Sequence, residues 1–274
     1  MSIASWYDPQ WAGGWAGARI AFAVAALLTW VPRGQGIGDV YGVADMVFSQ
    51  GPLYLSDVLV LTEPTAWAAW AVTVVGLLLV GFGGRGTKPG LVLWLLASTL
   101  LLGNEALNIK AYDRLLFWIA MGLMLGPVSE RGLTGAMRSP LPRWFLMIVF
   151  CALYGSTGWL KIIEAGADWA GGAVLANHLV HQHFGQLPAG VFVSGKAWLV
   201  VPMSWVVVLF EAGFPLLIWW RRSNPWVLVV GLCMHAGIFL LMRVGPFSFV
   251  ALAAYPILLH PEVARSGWAR ITRR

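Results

Sequence analysis

A chain of 274 residues with 59% hydrophobic and only 11% charged side chains, and a mean hydropathy of +0.73, is too apolar for a domain dissolved in water. The net charge of +6 and pI near 9.7 would suit nucleic acid, but the basic residues are scattered through short connections and form no patch, so no nucleic-acid partner is expected. The 17 tryptophans fit a bilayer interface, and the two cysteines, Cys151 and Cys233, lie inside apolar runs where a disulfide framework is not expected.

Lipid offers the backbone no hydrogen bonds, so apolar runs of about 17 to 25 residues read as helices. In chain order they are Ala12 to Val31, Pro64 to Phe82, Pro89 to Gly103, Ala111 to Pro127, Arg143 to Ile163, Ala197 to Trp220, Pro225 to Met242 and Pro246 to His260. The expected fold is all-α, a polytopic integral membrane helix bundle of about eight transmembrane helices in one domain, residues 1–274. The third and last runs are short and are expected to tilt or to span incompletely. The first run is expected to be retained, because no basic residue precedes it and no small-residue cleavage site follows it.

Taking the N-terminus as cytoplasmic, the inner connections hold Arg85, Lys88, Arg131, Arg138, Arg143, Arg221 and Arg222, and the tail adds Arg265, Arg270, Arg273 and Arg274. The outer connections and helix ends hold Arg33, Lys110, Arg114, Lys161, Lys196 and Arg243. Eleven against six is expected to put both termini on the cytoplasmic side. The two long outer segments, Pro32 to Glu63 and Glu164 to Lys196, then read as interfacial or re-entrant pieces covering a site, while Gly81 to Gly86 reads as an inner turn.

Ionisable residues at membrane depth are costly unless paired, snorkelled or functional. Between the third and fourth runs stand Asn104, Glu105, Lys110, Asp113 and Arg114, where Glu105 with Lys110 or Asp113 with Arg114 would make solvated interfacial pairs. Lys161 ends the run Tyr154-Gly-Ser-Thr-Gly-Trp-Leu-Lys161, ahead of Asp168-Trp169. In an apolar pocket it could serve as a base, or it could snorkel or pair with Glu164. Glu211 sits in the sixth run with no charged neighbour in sequence, either locking helix packing or acting in chemistry. His235 lies in the seventh run and reads first as a packed, hydrogen-bonded histidine and only second as a ligand. His178, His181 and His183 share no single helical face and have no close Cys or acidic companion, so a polar cluster is expected there and no metal.

Taken together, Tyr154 to Trp169, Gly171-Gly172, Glu211-Ala-Gly-Phe-Pro-Leu-Leu, Met234-His235-Ala-Gly and Gly245-Pro-Phe-Ser-Phe-Val-Ala-Leu resemble the vitamin K-dependent γ-glutamyl carboxylase family and its bacterial relatives, the HTTM proteins. The resemblance implies a membrane bundle that binds a reduced lipid quinone, of menaquinol or vitamin K type, in a cavity open to the outer face. In that family a lysine deprotonates the hydroquinone, oxygen adds, and the strongly basic product takes a proton from a glutamate side chain before carbon dioxide adds. Lys161 occupies the position of that lysine, Tyr154 matches a family tyrosine and His235 a family histidine, which makes these three the expected catalytic residues. Glu211, Trp169, His181, Asn104 and Glu105 are expected around the cofactor, His181 lying near an Arg-His pair of the carboxylases.

This chain departs from the family in carrying Asn104-Glu105 where the carboxylases have Asn-His. Only a short tail follows the last run, so the soluble portion that binds propeptides in the carboxylases is expected to be absent, and with it carboxylation of a protein glutamate. The expected function is a quinol-dependent oxygenation or proton abstraction on a lipophilic or partner-presented substrate, with membrane lipid, a lipophilic small molecule and a partner protein or peptide as the expected contacts. Two alternatives are a non-catalytic membrane subunit that matures a partner, and a transporter.

Overall fold

The computed structural model describes residues 8–41, 60–104, 110–128, 136–186 and 188–271. It is all-α apart from a two-residue antiparallel ladder, β1 (Gln10–Trp11) with β2 (Met137–Arg138). The helices are α1 (Gly14–Arg33), α2 (Ile37–Tyr41), α3 (Glu63–Phe82), α4 (Thr87–Gly103), α5 (Ala111–Leu125), α6 (Leu141–Ala170) and α7 (Ala173–Val180). They continue with α8 (Ala189–Ser194), α9 (Ala197–Leu217), α10 (Asn224–Leu241), α11 (Phe247–Ala253), α12 (Tyr255–Leu258) and α13 (Pro261–Ile271).

Among the described residues six helices are long and apolar enough to cross a membrane, or seven if the bent pair Phe247–Leu258 and Pro261–Gly267 is one span. The chain is thus a polytopic integral membrane helix bundle. The fourth expected run is α5, whose 15 residues rise only about 22 Å, short of a hydrocarbon core of roughly 30 Å, and the eighth, Pro246 to His260, falls in that bent pair. The first span outruns its expected end at Val31, because helical backbone continues through Tyr41.

The outward faces identify the solvent. Along α3 the buried positions include the small residues Ala66, Ala69, Thr73 and Gly76, whereas Trp67, Val72, Val75, Leu78 and Phe82 are exposed. Large apolar side chains facing outward, with small residues over most of the buried face beside Leu77 and Val80, is the arrangement expected when lipid surrounds the helix and backbones approach closely.

Two compact units emerge, one from Pro9–Pro142 with Phe249–Pro256, the other from Arg143–Ser248 with the residues after Pro256. In the first, α3 and α4 meet at paired glycines: a Cβ on Gly90 would lie 2.6 Å from the Gly76 carbonyl oxygen, and one on Gly76 would lie 2.7 Å from that of Gly90. The turn between them uses Gly83 and Gly84 at positive φ (77° and 75°). Buried Arg19 of α1 donates to the carbonyls of Val80 (2.5 Å) and Gly81 (2.7 Å), satisfying groups that the end of α3 leaves open.

Arg33 forms a bidentate pair with Asp113 (2.9 and 2.7 Å), and Asp113 also accepts from the Lys110 N–H at the start of α5. This replaces the expected solvated pair of Asp113 with Arg114: adjacent residues of a helix do not face each other, Arg114 is exposed while Asp113 is buried at 3% exposure, and Arg33 of α1 fills both carboxylate oxygens. Glu105, the other acidic residue in that connection, lies outside the described residues.

In the second unit, buried Arg143 at the start of α6 donates to the carbonyls of Ile257 (3.0 Å) and Leu258 (3.1 Å) at the end of α12. Asn224 completes that junction, donating to the Ile218 and Leu258 carbonyls and accepting from the His260 N–H at 2.7 Å. The segment Glu164 to Lys196 holds the rest of α6 and the short helices α7 and α8, with Leu175 and Leu179 packed on Val200 of α9.

Gly90→Val is expected to lower the thermal unfolding midpoint in detergent by the equivalent of about 2 to 3 kcal/mol, since two backbones occupy the space. Gly86→Ala, whose Cβ meets nothing closer than 3.5 Å, is expected to be tolerated.

Candidate functional site

The site is built on the crossing of α6 and α9. Gly158 is the residue that permits it: a Cβ there would collide with the Ala212 nitrogen and lie 2.6 Å from the Glu211 carbonyl carbon. One turn earlier, a Cβ on Gly155 would lie 2.7 Å from Pro215 Cγ. Two bare positions on one face of α6 therefore let the two backbones touch, as small residues do elsewhere in membrane bundles.

That approach brings Lys161 Nζ onto the Glu211 carboxylate, in an ion pair whose side chains are 19% and 12% exposed. The expected alternatives for Lys161 were snorkelling or pairing with Glu164; the partner is instead a residue fifty positions away, and Glu164 is exposed. Both charges of the pair are largely withdrawn from the surroundings, and each removes the other's need for water.

Helix α6 runs past its expected end at Ile163 to Ala170, but Ala165 departs from helical geometry (φ −134°, ψ 24°). Eight regular residues would carry Trp169 about 12 Å beyond Lys161 along the axis. With the break between them, the Trp169 ring lies 5.0 Å from Lys161 Nζ, in cation–π distance.

Lys161, Trp169, Ile162 and Gly166 of α6 face Ser204, Trp205, Val208 and Leu209 of α9 across a cavity of about 210 Å³. Its walls are aromatic and aliphatic. Trp205 and Leu209 are 47% and 62% exposed, so the rim of the cavity stands on the apolar outer surface of α9. Ser204, on the same face of α9 as Val208 and Glu211, was not anticipated from the sequence; its spacing of seven residues before Glu211 was the available signal.

Tyr154 and His235 form a separate pair. The Tyr154 hydroxyl is 2.7 Å from His235 Nε2, inside a box of aromatic rings from Phe210 (5.0 Å), Phe214 (4.7 Å) and, beside the imidazole, Phe247 (5.7 Å). Both residues are buried, and neither lines the cavity of Lys161. Seven residues separate Tyr154 from Lys161, so the two polar pairs share one face of α6 about 10 Å apart.

The remaining expected residues are distributed differently. His181 is exposed at the end of α7, accepting from the His183 N–H (3.3 Å) with its ring 5.1 Å from Phe184. The histidine that reaches the site is His178, stacked on Trp169 at 6.5 Å and 27°. Asn104 belongs to the other unit, where it accepts from the Leu61 N–H (3.1 Å) and donates to the Leu100 carbonyl (2.9 Å), finishing α4. Among the described residues no group of three or more His, Cys, Asp or Glu is placed to hold a metal ion.

Residues 134–262, which contain every residue of this site, match the family model of the HTTM domain. No curated protein and no solved structure matches the chain.

Lys161→Met alone is expected to destabilise the detergent-solubilised protein by about 3 kcal/mol, because it strands the Glu211 carboxylate. Lys161→Met with Glu211→Leu is expected to recover most of that loss in the same thermal scan. Tyr154→Phe, which deprives buried His235 of its bond to the phenol, is expected to cost about 1 to 2 kcal/mol.

Proposed function

Since this chain carries an HTTM domain, we propose that it is a membrane enzyme that uses a lipid hydroquinone, and that Lys161 is the base of the reaction. The observation that supports this best is the Lys161–Glu211 ion pair standing at an aromatic-walled cavity whose rim faces the lipid side of α9. Apolar residues of similar volume would hold this crossing about as well, so stability does not account for the pair, and its place beside a cavity supports a role in chemistry.

The residues present fit the head group of a reduced quinone. A space of about 210 Å³ admits a ring system and leaves a long tail to the surrounding lipid. Trp169 and Trp205 supply flat walls, Lys161 a nitrogen that would bond to a ring oxygen, and Ser204 a buried hydroxyl without a partner among the described residues. A bound hydroquinone would supply the reducing equivalents for a reaction with oxygen.

The chain's own part is proton handling. Transfer of a proton from Lys161 Nζ to Glu211 along their hydrogen bond leaves a neutral amine, and the amine can then take a proton from a hydroxyl held in the cavity. Glu211 stores the first proton, and Trp169 over Nζ steadies the ammonium that results. The apolar walls keep water from competing for either. Tyr154 and His235 hold α6 to α10 and so fix the height of Lys161 against α9. The excess of basic residues in the assigned inner connections supports cytoplasmic termini in a bacterial plasma membrane, with the site toward the outer face.

The test is oxygen uptake by the purified protein with menaquinol, together with mass spectrometry for quinone epoxide. Wild type is expected to form epoxide, and Lys161→Ala to lose at least about 100-fold in rate. Full turnover by Lys161→Ala would remove it as the base. Absence of uptake with every quinol tried would overturn the enzyme reading in favour of a subunit that serves a partner.

A further inference from the structure

Ser204 is fully buried in α9, and its Oγ has no hydrogen-bond partner among the described residues. A serine within a helix ordinarily returns its proton to the carbonyl one turn back, as Thr73 does to Ala69 in α3 at 2.9 Å. Ser204 does not, although burying a hydroxyl without a partner is unfavourable. It lines the same cavity as Lys161 and Trp169, which leaves the cavity as the place where its partner would stand.

We infer that Ser204 is a positioning and specificity residue that holds a second oxygen of the cavity's ligand, opposite the oxygen served by Lys161. The inference rests on the hydroquinone reading and narrows it to a ring with oxygens at both ends. Ser204 precedes Glu211 by seven residues on one face of α9, a rise of about 10 Å. Lys161 Nζ is held at the Glu211 end by the ion pair. The rest of the lining is apolar side chains such as Ile162, Val208 and Leu209 together with the indoles of Trp169 and Trp205, which suit a flat ring and offer it no further strong anchor. A ligand with one oxygen, placed at Lys161, would leave the Ser204 hydroxyl buried and unpaired, so the two anchors together favour para-oxygenated rings.

The probe is 1,4-naphthoquinone, a head group without a tail, added to the full-length protein in detergent. Its affinity is read by calorimetry, and its two carbonyl stretching bands by infrared difference spectroscopy. Wild type is expected to displace both bands from their unbound positions. Ser204→Ala should return one band to the unbound position and weaken binding by about 3- to 10-fold, and Lys161→Met should return the other. Without ligand, Ser204→Ala should unfold at the wild-type temperature or slightly above it, because the hydroxyl it removes has no partner. Unchanged affinity and bands in Ser204→Ala would overturn the assignment of Ser204 and leave the quinone reading standing. A lower unfolding temperature for ligand-free Ser204→Ala would make the hydroxyl a structural group and likewise overturn the assignment. Failure of wild type to bind the probe would overturn the quinone reading, and the Ser204 assignment with it.

Discussion

The contact on which the site depends is the approach of the α6 and α9 backbones at Gly158. Lysine and glutamate side chains are long enough to meet across many helix crossings, but their charges can be withdrawn from water and still paired only where the main chains nearly touch. Gly155 and Gly158 provide that closeness, and Pro215, seated against Gly155, fills the space that two glycines leave. Ion pair, cavity and aromatic box all lie on or beside this one crossing.

The two polar pairs on α6 differ in surroundings. Tyr154 and His235 are sealed among phenylalanines, where a hydrogen bond ties two helices together in a low-dielectric interior. Lys161 and Glu211 keep partial exposure, and Lys161 borders the cavity. Close packing suits the first pair, whereas space is what the second has. Spacing alone could not separate these environments, since Tyr154 and Lys161 share a helix and a face.

The spans were legible because apolar run length is dictated by lipid thickness, and the runs through α3, α9 and α10 begin and end within a few residues of the expected positions. The extension of α6 past Ile163 was hidden by Glu164 and Asp168, which look like the end of a span until the break at Ala165 is seen. Lys161 was legible as an ionisable residue at membrane depth. Its partner was not, nor was that of Asp113: Glu211 is fifty residues from the lysine, Arg33 is eighty from the aspartate, and pairings so distant are decided by helix packing that a single sequence does not display. Ser204 was overlooked because serine is common in helices; what distinguishes it is the absence of the usual bond to the preceding turn.

The rim formed by Trp205 and Leu209 changes the unit in which a ligand is counted. A molecule that enters through an apolar surface comes from the two-dimensional lipid phase, so occupancy of the cavity follows its mole fraction among lipids and not its concentration in the aqueous volume. Diluting the protein in buffer would leave occupancy untouched, whereas adding inert lipid would lower it.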